Sequence, residues 1–94
     1  MDVGLRHLRI VLTVAEAGSI TRAATELKIA QSGLTAQLRR IEQGFGGPLF
    51  LRRPHGVVPT ELGVHVVGKA KELLDDFGDL LTTARALAAT YWRC

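Results

Sequence analysis

Five residues, Gln31, Ser32, Thr35, Ala36 and Arg39, are spaced so that a helix would gather them into one arc of about 140°. The arc opens with short uncharged side chains and runs on into Arg39, with Arg40 beside it. Compact donors and acceptors suit the edges of bases, and longer cations suit the phosphates that flank them. A second group, Arg52, Arg53 and His55, sets three basic or potentially basic side chains around Pro54 and Gly56. Clustered in a turn, such side chains suit backbone phosphates. An ordinary solvated helix face and a solvated turn are the plain alternatives, and neither group decides the matter alone.

Residues suited to covalent or metal chemistry do not assemble. His7, His55 and His65 are scattered along the chain without a metal-ligand spacing. Cys94 stands at the terminus, and Asp75, Asp76 and Asp79 have the spacing of a solvated helix face. No enzyme, metal or cofactor is expected.

The polar arc needs a helix under it, and the apolar residues supply one. Leu34, Leu38 and Ile41 recur at i, i+4 and i+7, which predicts a helix from about Gln31 to Gln43. Ahead of it, Ala23, Ala24 and Leu27 share a face of a shorter helix over Ile20 to Lys28. Only a tight turn fits between the two, and Ile29 is expected to plug the junction. Small side chains at Ala23 and Ala24 let the axes approach. That is a helix-turn-helix.

The flanking elements follow. Leu5, Leu8, Val11, Leu12 and Ala15 predict a first amphipathic helix up to Ala17, stopped by Gly18, with Ser19 or Thr21 able to cap the next. The cluster from Gly44 to Pro48 should end the recognition helix. Leu49 to Leu51 and Val57–Val58 then read as two short strands, with Phe50 as a core anchor and residues 52–56 as the turn. Beside a recognition helix, such a hairpin is a wing.

From Thr60, a natural N-cap, one helix could run to about Tyr91, roughly 45 Å at 1.5 Å per residue. Its apolar row, Val66, Ala70, Leu73, Phe77, Leu80, Ala84, Leu87 and Tyr91, advances in alternating steps of four and three. A small domain covers the first two turns of that stripe and leaves the rest as a large apolar patch. A second copy of the chain would cover it, so this row is expected to form a dimer seam. The division expected is a winged helix-turn-helix domain over 1–59 and a dimerisation helix over 60–94.

Composition sharpens the choice of partner. Residues 1–60 hold eight Lys/Arg against four Asp/Glu, and residues 61–94 hold four against five. The basic excess therefore accompanies the helix-turn-helix and favours a polyanion there. A single cysteine excludes an internal disulfide and fits a reducing cytoplasm. Neither a leader nor a membrane span is expected. A helical dimer that binds protein through its helix-turn-helix remains the alternative, with the charge balance against it.

These residues together resemble the DNA-binding domain of LysR-type transcriptional regulators. The likeness lies in AEAGSITRAATEL (Ala15–Leu27), AQSGLTAQLRRIE (Ala30–Glu42), GGPLFLRR (Gly46–Arg53) and PTELG (Pro59–Gly63). It implies a mainly α fold, a winged helix-turn-helix followed by a long linker helix that pairs antiparallel in a homodimer. It also implies an interrupted dyad operator in double-stranded DNA. By position, Gln31, Ser32, Thr35 and Ala36 take the base-reading places. Arg52 takes the wing arginine's place, and Thr60 that of the threonine opening the linker helix. Three places depart: Ser32 stands where the family commonly has Pro, Ala36 where it has Arg, and His55 where it has a second wing arginine. An alanine can touch a thymine methyl but cannot reach guanine as arginine does. The family's effector-binding domain has no counterpart in these residues, so no small-molecule effector site is expected in them, whether the chain is a fragment or naturally short.

Overall fold

The computed structural model describes residues 3–92. Helices α1 (Leu5–Ala17), α2 (Ile20–Leu27) and α3 (Gln31–Phe45) are followed by strands β1 (Phe50–Arg53) and β2 (Gly56–Pro59) and by a long helix, α4 (Glu61–Tyr91). It is the expected mainly α winged helix-turn-helix with a long terminal helix. Cys94 lies outside the described residues.

Local chemistry sets each boundary. Gly18 ends α1 in the left-handed region, φ 65°, and its N–H donates to the Val14 carbonyl. Ser19 caps α2: its hydroxyl accepts the Arg22 amide at 3.3 Å, which settles the choice between Ser19 and Thr21. Lys28, at φ 58°, then turns the chain sharply. The turn uses Ile29 through its backbone, whose N–H donates to the Ala24 carbonyl, and leaves the side chain 37% exposed. Ile29 therefore does not plug the junction as expected.

Helix α3 runs two residues past the expected end. Phe45 packs against the core, and that contact favours the two further residues despite Gly44. Gly46, at φ 92°, stops it. Glu42 then joins α3 to the wing: its carboxylate accepts the Leu49 amide at 2.7 Å and the Phe50 amide at 3.3 Å. The strands also differ from expectation. Arg52 pairs with Val57 and Arg53 with Gly56, so both arginines lie in β1 and only Pro54–His55 forms the turn. A two-residue turn suffices to reverse a hairpin, and the ladder extends accordingly.

The core is Val11, Val14, Ile20, Ala23, Leu34, Leu38, Ile41, Leu49, Phe50 and their neighbours. Phe50 anchors it as expected. On α1 the buried face is His7, Val11 and Val14, while Leu5 is exposed. Apolar residues lie nearly all round this helix, so periodicity alone could not select the face.

Thr60 binds α4 to the wing. Its hydroxyl accepts the Gly63 amide at 2.9 Å and donates to the Pro48 carbonyl at 2.7 Å. Gly63 sits so close to the Leu49 carbonyl that a Cβ there would overlap its oxygen. Gly63, Val66 and Ala70 of α4 are buried, so the packed unit extends past residue 60, where a division was expected. Beyond Ala70 the helix stands away from the rest, within an overall extent of 54 × 25 × 23 Å.

Candidate nucleic-acid interface

The recognition arc forms as its spacing requires. Leu34, Leu38 and Ile41 hold one side of α3 in the core, and Gln31, Ser32, Thr35, Ala36 and Arg39 together line an open recess of about 430 Å³ on the other. Gln31, Ser32, Ala36 and Arg39 are exposed and Thr35 is half-buried. Arg40 turns off this face toward α1.

The wing stands beside the start of α3. Arg52, Arg53 and His55 share a recess of about 260 Å³ with Gln31 and with Ser19 and Thr21 at the start of α2. The Val57 amide donates to the Gly18 carbonyl at 3.0 Å and ties the hairpin to the α1–α2 turn. Gly56, at φ 140°, lets the strand approach, since a Cβ there would overlap that same carbonyl oxygen. Arg52 Nη2 donates to Thr35 Oγ1 at 3.3 Å. One bond thus links the wing to the reading face.

The charges of this surface are not neutralised from within. Among the described residues the one ion pair is Lys69–Glu72 at 3.4 Å, both exposed on α4. Glu42, which shares a recess with Arg39 and Arg52, has its carboxylate engaged by the Leu49 and Phe50 amides. Arg39, Arg40, Arg52 and Arg53 therefore present cations to solvent, as a surface for a polyanion must. No group of three or more His, Cys, Asp or Glu among the described residues is placed to hold a metal.

Two sets of expected site residues are used otherwise. Thr60 spends its hydroxyl proton on Pro48 and has no donor left for a phosphate. Val66 and Ala70, expected in a dimer seam, are buried in the protomer's own core. Leu73, Phe77, Leu80, Ala84 and Leu87 do stay exposed along α4. The linking role of Glu42 is not legible in the sequence, because an acidic residue late in a helix gives no sign of the backbone it will meet seven residues on. Thr21 likewise joins the wing recess only through the tertiary fold.

A three-helix core, a reading face on its third helix and a basic two-stranded wing define a winged helix-turn-helix DNA-binding domain. Residues 5–64 match the model of the bacterial regulatory helix-turn-helix protein, lysR family. The chain belongs to that family. It is 51% identical over 89 residues to the small neutral protease regulatory protein of Streptomyces coelicolor, covering 95% of this chain and 27% of that protein. It is 45% identical over 75 residues to the HTH-type transcriptional regulator AbaB of Streptomyces antibioticus, covering 80% of this chain and 24% of the relative. The chain thus spans about a quarter of the length of these curated relatives. Among solved structures, the CbnR DNA-binding domain in complex with DNA matches at TM-score 0.84 and 30% identity, covering 92% of this chain and 99% of that one. The BenM DNA-binding domain with benA site 1 DNA matches at TM-score 0.86 and 32% identity, covering 92% of this chain and 100% of that one. No helix among the described residues is long and apolar enough to cross a membrane.

Proposed function

We propose that this domain reads an operator for a cytoplasmic transcription regulator, as a homodimer on an interrupted dyad. It acts by binding, without catalysis of its own. Gln31, Ser32, Thr35 and Ala36 contact base edges in the major groove. Arg39, Arg40, Arg52, Arg53 and His55 hold the flanking backbone. Leu73, Phe77, Leu80, Ala84 and Leu87 form the seam between two copies of α4, with the segment beyond Ala70 as the linker. A two-fold axis then sets two α3 helices against two half-sites. The observation that carries this reading is the single open face holding all five arc residues, with a wing arginine bonded to its Thr35.

Selection of bound sequences from a random duplex pool tests it. The expected product is a pair of inverted half-sites at fixed spacing. On that site Gln31→Ala should cost about 1–3 kcal/mol and relax one base position per half-site. Arg52→Ala should weaken all sequences alike and lower the salt slope by roughly one unit. A pool that yields no consensus rejects operator reading by this face.

A further inference from the structure

The start of α1 meets the flank of α3 around a recess of about 460 Å³, lined by Arg6, His7, Gln37, Arg40 and Gln43. Every one of these side chains can donate hydrogen bonds, and none is a carboxylate. Neither Arg6 nor Arg40 pairs with an acid among the described residues. Such a lining suits an anion.

His7 is the informative member. It is 7% exposed, a buried polar residue in an otherwise apolar face of α1. Its Nδ1 accepts the Gly4 amide at 2.9 Å, which places the proton of the neutral ring on Nε2. Among the described residues Nε2 has no hydrogen-bond partner. Among the described residues no sealed-off side-chain nitrogen or oxygen lacks a hydrogen bond, so Nε2–H is open to solvent, and the recess is the opening that His7 lines. The Gly4 bond thereby holds the ring, whose free donor belongs to a recess that Arg6 and Arg40 also line, with no acceptor for it among the described residues.

The position on α3 identifies what arrives there. The wing and Arg52 flank the reading face on its Thr35 side, whereas Gln37 and Arg40 turn toward α1 on the other. A helix seated in a major groove about 12 Å wide meets phosphates along both edges. We infer that this recess is a phosphate site, in which Arg6, Arg40 and His7 Nε2–H take one backbone phosphate on the groove edge opposite the wing. The inference rests on the reading of this domain as an operator-binding module. A free phosphate ion offers the same chemistry, and the experiment separates the two sources.

The test follows the His7 ring nitrogens of the 94-residue chain by NMR while inorganic phosphate, and separately duplex DNA, is added. Both additions should shift Nε2 saturably. Arg6→Gln, at an exposed position, should weaken inorganic phosphate about tenfold. It should also lower the salt slope for DNA by about one unit, on preferred and scrambled duplexes alike. His7→Asn keeps an acceptor for the Gly4 amide and removes the Nε2 donor, so phosphate-induced shifts at the Arg6 and Arg40 guanidinium signals should weaken while the fold persists. Inorganic phosphate that shifts Nε2 without any effect of Arg6→Gln on the DNA salt slope overturns the backbone contact and leaves a free-anion site. A Nε2 signal that neither addition moves overturns both. A wild-type chain that binds no duplex refutes the operator reading instead, and the inorganic phosphate arm still decides the recess.

Discussion

One apolar row runs along α4, and its two halves end differently. Val66 is 6% exposed and Ala70 1%, whereas Leu73 is 50% exposed, Leu80 61% and Leu87 53%. The repeat does not change between them. What changes is the availability of a neighbour: α1 and the wing cover the first half, and among the described residues no other element covers the second. A heptad period shows that a face expects cover, and only the fold shows who supplies it. The first half belongs to stability of the protomer. On the proposed reading, the second pairs with its counterpart and so spaces two reading heads.

The largest effect separates the halves by charge. Phe77→Asp would put a carboxylate in the centre of the seam of each protomer, at a cost of several kcal/mol per dimer on the usual scale for unpaired buried charge. Phe77 is 38% exposed in the protomer, so the single fold should survive. Sedimentation should find a monomer, and binding to paired half-sites should fall far more than binding to one, because linkage is lost. A Phe77→Asp protein that still sediments as a dimer would put the seam elsewhere.

Gly63→Ala attacks the covered half instead. Its Cβ would overlap the Leu49 carbonyl, and backbone atoms cannot yield as a side chain does. A loss of about 1–3 kcal/mol or more is expected in denaturant titration, with the dimer constant of the surviving fold unchanged. Thr60→Ala should cost about 0.5–2 kcal/mol through the lost cap, and Thr60→Ser should restore most of it. Its DNA salt slope should match the wild type. A slope lowered by one unit would return Thr60 to the phosphate-contacting set.

The same contrast explains what could be read from residue order. The reading arc was legible because helical period alone decides that Gln31, Thr35 and Arg39 share a face, and Leu34, Leu38 and Ile41 say which face is buried. The Arg52–Thr35 bond was not, because it joins residues 17 apart in sequence through the placement of the wing. Nor is the role of His7 legible, because a histidine among Leu5, Leu8 and Val11 carries no sign that its ring serves the Gly4 amide. Ile29 misled for a related reason: its hydrophobicity was visible, but the left-handed turn at Lys28 that directs it outward was not. The end of the protomer's own cover at Ala70 depends on the reach of α1. No period in α4 records it.

The smallest expected effect probes the uncovered half without disturbing its apolar row. Gly78 lies in the exposed stretch of α4, off the line of Leu73, Phe77 and Leu80, and a Cβ there would meet nothing within 4 Å. Alanine costs a helix less backbone entropy than glycine, so Gly78→Ala should stabilise this part of α4 by up to about 1 kcal/mol. That is the opposite sign to the same substitution at Gly63, fifteen residues earlier in the same helix. If the uncovered half opens locally, as few buried contacts favour, the gain should appear as amide exchange slowed by up to about fivefold from Gly78 toward Tyr91, with little change in global unfolding. The dimer constant should hold or tighten slightly, since a stiffer helix has less to lose on pairing. If Gly78→Ala weakened the dimer, the partner helix would be approaching at Gly78 itself, and the seam would have to be rotated away from Phe77.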